Sequence, residues 1–187
     1  MTLAEAVARA GERLAATGIE EPRRDARLLV CRLLGGGPEL LLGHPEKELS
    51  AEEAERIAAA VTRRAAREPV SRILGEREFW SLSFGLNAAT LDPRPDSETL
   101  VEAVLETLPE TALRAVDLGT GSGAIGVTLA LERPAWRLTL TDASRPALAV
   151  ARDNAERLGA RVGLVCCDWL DGLGGPFDLI VSNAPYI

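Results

Sequence analysis

The sequence predicts an α/β protein, a parallel sheet wound on both faces by helices, with a separate helical bundle in front of it. Short apolar runs at residues 113–116, 136–140, 162–165 and 177–181 have the length of strands, and helical stretches separate the first three. Strands that alternate with helices build βαβ units around a parallel sheet. Each run is followed by residues rich in chemistry: Asp117-Leu118-Gly119-Thr120-Gly121-Ser122-Gly123, then Asp142, then Asp168-Trp169, then Asn183-Ala184-Pro185-Tyr186. Ligands of such sheets bind outside the carboxyl ends of the strands, so all four pieces fall on one rim.

Upstream of that core the pattern is helical. Thr2-x-x-Glu5 has the form of a capping box, and Leu3, Val7, Ala10 and Leu14 form a helical stripe closed by Gly18. Pro22 suits the first turn of a second helix, which carries Leu28, Leu29 and Leu33 and ends at Gly35-Gly36-Gly37. A short apolar turn at residues 40–42 follows. Ser50-x-x-Glu53 then caps a third long helix, expected to run to about Arg67 and to be stopped by Pro69. Arg63, Arg64 and Arg67 read as its solvated face. Residues 1–75 are therefore expected as a helical domain and 76–93 as an extended hairpin linker around Gly85. Residues 94–187 make the core, opening with a helix at about residues 96–108.

Composition narrows the functions available. A chain of 187 residues with 47% hydrophobic content can bury one large core or two small ones. No apolar run approaches the ~20 residues of a membrane span. The N-terminus enters an amphipathic pattern without the charged-then-apolar order of a signal peptide, which points to the cytoplasm. Cys31, Cys166 and Cys167 form neither a disulfide framework nor a metal-site spacing. Buried, reduced thiols are expected, with the adjacent pair on opposite faces of a strand. His44, in a Gly/Pro loop, reads as a solvated turn residue, and no metal site is expected. A net charge of −7 argues against indiscriminate contact with phosphate backbones, which Lys and Arg drive. A basic protein loop suits it better.

The glycine loop by itself has two readings. Gly121, Gly123 and Gly126 satisfy G-x-G-x-x-G between a strand and a helix, and Asp142 lies 21 residues after Gly121, near the spacing of the acid that binds a dinucleotide ribose. Two features favour S-adenosylmethionine instead. Asp117 would repel a pyrophosphate but suits the ammonium and sulfonium of that cofactor. Asp168-Trp169 offers an acceptor beside a large aromatic face suited to adenine. The fourth piece adds weight: Asn183-Ala184-Pro185-Tyr186 differs in one residue from Asn-Pro-Pro-Tyr, found in methyltransferases that modify planar amide or amino nitrogens. An amide NH₂ is a poor nucleophile because its lone pair is delocalised. A site must grip both hydrogens with acceptors, a side-chain oxygen and a backbone carbonyl, so that the nitrogen faces the methyl group. An Asn/Pro turn after a strand is common in its own right, so the weight of this piece comes from the three before it.

With these residues in place, the chain resembles the peptide chain release factor N5-glutamine methyltransferases, the HemK/PrmC group. The resemblance also takes in Glu78-Phe79-Trp80, the stretch Leu91-Asp92-Pro93-Arg94-Pro95-Asp96-Ser97-Glu98, and Asp142-Ala143-Ser144, Ala147-Leu148 and Asn154-Ala155. It implies a Rossmann-like, S-adenosylmethionine-dependent methyltransferase core behind an N-terminal helical bundle that recognises the protein substrate. The implied reaction is methylation of the side-chain amide of the glutamine in the Gly-Gly-Gln motif of release factors. Gly119, Thr120, Gly121, Ser122 and Gly123 would wrap the methionine portion of the cofactor. Asp142 would bind the ribose and Trp169 the adenine, with Asp168 beside it. Asn183 and the carbonyl of Ala184 would hold the glutamine amide, with Asn183 also among the cofactor-binding residues and Pro185 and Tyr186 completing the pocket. Arg94 and Glu98 would either brace the cofactor side or serve as a helix cap and a surface ion pair.

The chain departs from the family in two places. Ala184 stands where the family has proline, and the family's chains run on past the position of Ile187, so the later core strands are expected to be missing. Two further readings stay open. One is a nucleic-acid adenine N6-methyltransferase, which would want a basic groove and a base-flipping pocket. The other is a non-catalytic cofactor-binding fragment with an unpaired strand edge.

Overall fold

Thr2 and Ser50 each start a helix in the same way. The Thr2 hydroxyl accepts from the Glu5 amide at 3.3 Å while the Glu5 carboxylate accepts from the Thr2 amide at 3.0 Å. Ser50 and Glu53 repeat the exchange at 3.1 and 2.8 Å. Such reciprocal pairs satisfy amides that the first helical turn leaves without partners. In this computed structural model, which describes residues 1–184, they open α1 (Leu3–Ala16) and, after α2 (Pro22–Leu33) and the short α3 (Glu39–Gly43), the long α4 (Ala51–Ala65). A one-turn helix that the sequence reading lacks, α5 (Val70–Leu74), follows Pro69. The apolar stripes of α1, α2 and α4 meet in a small core of Leu3, Leu14, Ile19, Val30, Ile57 and Val61.

At the end of α4, Arg63 and Arg67 are exposed, as expected of a solvated face, and Arg64 is half-buried, yet all three have partners. Arg63 Nε donates to Glu68 at 2.7 Å, Arg64 Nε to Asp25 at 2.7 Å, and Arg67 to the Thr17 carbonyl at 3.0 Å. Asp25 in the first turn of α2, the Thr17 carbonyl at the end of α1 and Glu68 just past α4 all lie within reach of these arginines. The cluster is spent inside this unit, Met1–Leu74.

The second unit begins at Gly75. Its first element is an antiparallel hairpin, β1 (Glu76–Phe79) and β2 (Leu82–Gly85), paired from Glu76 opposite Gly85 to Phe79 opposite Leu82. The turn is at Trp80-Ser81 and not around Gly85. Both residues have positive φ, 53° and 57°, as a two-residue hairpin turn of this hand requires. Neither is glycine or asparagine, and external bonds help to hold the conformation: the Trp80 amide donates to Glu98 at 2.8 Å and its indole N–H to Glu132 at 2.8 Å. Phe79 and Phe84 are buried edge to face, 6.2 Å apart, in the core of this unit with Val101, Val127 and Leu140. The stretch expected as a linker is thus a packed element.

A 3-10 turn at Pro95–Ser97 leads into α6 (Glu98–Thr107). There follow β3 (Arg114–Leu118), α7 (Ala124–Glu132), β4 (Arg137–Asp142), α8 (Arg145–Leu158), β5 (Val162–Cys166) and β6 (Leu179–Ser182). The last four strands form one parallel sheet in the order β5-β4-β3-β6. The chain moves outward from β3 through β4 to β5, then returns to lay β6 on the other side of β3. The carboxyl ends of β3 and β6 therefore flank the switch point, where open α/β sheets bind ligands. Cys31 is buried, but Cys166 is exposed and Cys167 half-buried, contrary to the expectation for the pair. They sit at the end of β5, where among the described residues the sheet has an edge.

Candidate functional site

The loop after β3 is built on Asp117. Its carboxylate is 2% exposed and accepts from the Thr120 hydroxyl at 2.6 Å and the Gly126 amide at 3.0 Å. Burial pushes its pKa up to about 6, against the pull of the Thr120 and Gly126 bonds and with a further push from Asp142. Asp117 thus braces the loop through Oδ2, and it also lines the smaller of two adjoining chambers. Because its folded pKa is raised, the native protein binds more protons than the unfolded chain between about pH 4 and 6. Stability from this group is complete below that window and is lost as pH rises through it, by roughly 3 kcal/mol at about 1.4 kcal/mol per unit of pH. Urea unfolding across pH 4 to 7 checks this. Asp117→Asn should gain on the wild type as pH rises, and a constant difference between the two would show that Asp117 does not titrate there.

The glycines divide by what lies in front of them. Gly119 and Gly121, at φ 67° and 57°, have nothing within 4 Å of where a side chain would begin. Their backbone faces an open cleft. Gly123, at φ 84°, caps α7, and a Cβ there would lie 3.2 Å from Ala151 and from Val127. It serves the packing of α7 against α8. Ser122 is buried, and its carbonyl accepts from Asn154 at 2.8 Å. Asp142, at the end of β4, accepts from the Gly121 amide at 2.9 Å and the Ser144 amide at 2.8 Å, so it joins the loops after β3 and β4. A carboxylate has about four acceptor positions, so these two bonds leave capacity for a ligand.

Gly119, Gly121, Asp142, Asp168, Trp169 and Asn183 all line one cavity of about 340 Å³, together with Leu91 and Ala184. Trp169, at φ 47°, is 58% exposed, so its indole stands open at the cavity wall. A smaller adjoining chamber of about 50 Å³ is lined by Asp117, Thr120, Ser122 and Asn183, among others. Asn183 faces both chambers, and its Nδ2 donates to the Ser97 hydroxyl at 2.8 Å. Pro185 and Tyr186 lie outside the described residues. Glu98 lines neither chamber; it holds the hairpin turn through Trp80. Arg94 also lines neither.

Three participants escaped the sequence reading of roles: Leu91, which lines both chambers; Ser97; and Asn154, a buried hub. Leu91 and Ser97 belong to the stretch before α6 that carries the family resemblance, and that was the available signal. A cleft of this volume, walled by an exposed indole and two carboxylates and floored by bare glycine backbone, fits a nucleoside joined to a charged amino-acid tail. Among the described residues no helix is long and apolar enough to cross a membrane.

Many ligand-binding folds share a parallel α/β sheet with its cleft at the switch point; the class here, the S-adenosylmethionine-dependent methyltransferases, is given by residues 94–187, which match the family described as "Methyltransferase small domain". Residues 5–75 match the "PrmC N-terminal domain". The chain belongs to the release factor glutamine methyltransferase family. Proteins of that name from Rhodospirillum rubrum and Cereibacter sphaeroides are each 47% identical over all of this chain, which covers 58% and 67% of their lengths. The protein of that name from Escherichia coli is 43% identical over 90% of this chain and 61% of its own. The chain thus spans about three fifths to two thirds of these relatives. Among solved structures, the T. thermophilus 16S rRNA N2 G1207 methyltransferase superposes with a TM-score of 0.50 at 22% identity, over 60% of this chain and 32% of that one. That likeness concerns the fold alone.

Proposed function

We propose that the cleft beyond β3, β4 and β6 holds S-adenosylmethionine and presents it to the side-chain amide of a glutamine, that of the Gly-Gly-Gln loop in peptide chain release factors. The observation that carries this reading is that Asn183 lines the same cavity as Gly119, Gly121, Asp142 and Trp169. Bound there, the cofactor supplies an electrophilic methyl group on a sulfonium. The residues do the rest by orientation. Trp169 gives a flat face for adenine, and Asp142 accepts from the ribose hydroxyls. Asn183 Oδ1 and the Ala184 carbonyl accept from the two hydrogens of the glutamine NH₂. Gripped in this way, the nitrogen is aimed at the methyl group, and the positive charge it develops is met by preorganised acceptors.

The helical unit before the core is the natural reader of the protein substrate. The acidic chain favours a protein partner over direct contact with nucleic acid. The setting we infer is the cytoplasm, in keeping with three free cysteines. The test offers labelled S-adenosylmethionine and the whole protein a release factor and duplex DNA together. Label should appear on the glutamine; label on DNA adenine would reverse the reading.

Cofactor binding has its own test. Asp142→Ala is a poor probe, because Asp142 also holds the Gly121 and Ser144 amides. Trp169 is better, since its exposed ring carries little of the fold. Calorimetry should show S-adenosylhomocysteine binding without NAD binding. Trp169→Ala should weaken the former by about 1–3 kcal/mol, the scale of one base stacked on an aromatic ring. Unchanged affinity would remove the adenine from this wall.

A further inference from the structure

Ser97 occupies the N-cap position of α6, where a serine hydroxyl normally accepts from an amide of the first turn. It makes no such bond. Its backbone is helical, at φ −73° and ψ −15°, and not in the extended form usual for a capping residue. The hydroxyl instead meets the Asn183 Nδ2, 86 positions away, at 2.8 Å, and Ser97 lines the smaller chamber beside Asn183.

An asparagine side chain is ambiguous in a way that matters here. Turning its amide half a revolution exchanges a carbonyl acceptor for an NH₂ donor at nearly the same point. If the substrate is an amide NH₂, the wrong orientation sets donor against donor. In the arrangement here Nδ2 donates to the Ser97 hydroxyl and Oδ1 is left for the cleft; a hydroxyl can also donate, so the orientation holds while the Ser97 oxygen acts as the acceptor.

We infer that Ser97 is a positioning residue that holds the Asn183 amide with its oxygen available to the substrate nitrogen. This rests on the function proposed above, since the orientation has value only if Asn183 grips an NH₂ group. Ser97 need not touch the substrate; it acts through Asn183. A hydroxyl is required and threonine keeps one, whereas alanine removes the bond that holds the amide. Loss of the hydroxyl removes no cap bond, so the helix itself has little to lose.

The experiment compares wild type, Ser97→Ala and Ser97→Thr in the whole protein, with labelled S-adenosylmethionine, a release factor and calorimetry of S-adenosylhomocysteine. Ser97→Ala should lower kcat about tenfold, the order for one neutral hydrogen bond, with cofactor affinity and thermal midpoint unchanged. Ser97→Thr should restore most of the rate. A Ser97→Ala enzyme as fast as wild type would overturn the inference. So would a loss that runs through cofactor affinity, or one that threonine fails to rescue. If the wild type itself methylates no glutamine, the proposed function fails, and this inference falls with it for a separate and recognisable reason.

Discussion

Asn183→Ala is expected to lower methyl transfer about 100-fold or more while leaving cofactor affinity nearly unchanged. Under the proposed function the substitution deletes an acceptor aimed at the charge that develops on the nitrogen, and removal of one preorganised hydrogen-bonding group of this kind costs about 100- to 1,000-fold in turnover. The side chain is half-buried and donates to Ser97 at the end of the sheet, so its loss leaves the sheet intact. Single-turnover rates beside calorimetry of S-adenosylhomocysteine separate the two effects. The neighbouring Ala184→Pro should act in the opposite direction. The carbonyl of residue 184 survives either way, and proline restores a rigidity worth about 0.4–1 kcal/mol. If both substitutions are silent, the end of β6 is a plain turn and the catalytic assignment is wrong.

Asn154→Ala should have the largest effect on stability. This residue is 2% exposed and uses both ends of its amide. Oδ1 accepts from the Gly85 amide at 2.8 Å and from Arg157 at 2.9 Å; Nδ2 donates to the carbonyls of Gly85 at 3.0 Å and Ser122 at 2.8 Å. It therefore ties together the end of β2, α8 and the glycine loop. Truncation leaves the Gly85 amide and two carbonyls without a partner, at about 1–3 kcal/mol for each that stays dry. A loss of roughly 3–5 kcal/mol is expected, a large part of the ~5–15 kcal/mol that holds a typical domain. Urea unfolding followed by the fluorescence of buried Trp136 measures it. A loss below about 1 kcal/mol would mean that water enters and replaces these bonds.

The sheet was legible because its signals are local. Each strand is an apolar run bounded by polar or glycine-rich residues, and the runs match β3 to β6 within about two residues at either end. The rim was legible for the same reason, since strand ends in such a sheet share one side. What stayed hidden depends on contacts distant in sequence. The hairpin turn fell on Trp80-Ser81 because Glu98 and Glu132 hold that conformation, and no glycine marks it. The α4 arginines look like any exposed face until Asp25 and the Thr17 carbonyl are brought to them. Asp117 stands out in the sequence, but its bonds to Thr120 and Gly126, which brace the loop, appear only in the fold. Asn154 lay within the resemblance, but its partners at Gly85 and Ser122 lie 69 and 32 positions away.

The strand order also sets how the two halves of the cleft come together as the chain folds. Contacts joining the glycine loop to β4 span 21 to 24 positions, whereas the bond from Ser182 to Leu118 spans 64. Closing the longer loop costs only about 1 kcal/mol more in chain entropy, and β3 is the template for β4 on one side and for β6 on the other. Either half of the cleft can therefore form against β3, and the shorter loop favours the half that carries Asp142 only slightly. The strand that carries the glycine loop is the one part that both halves need.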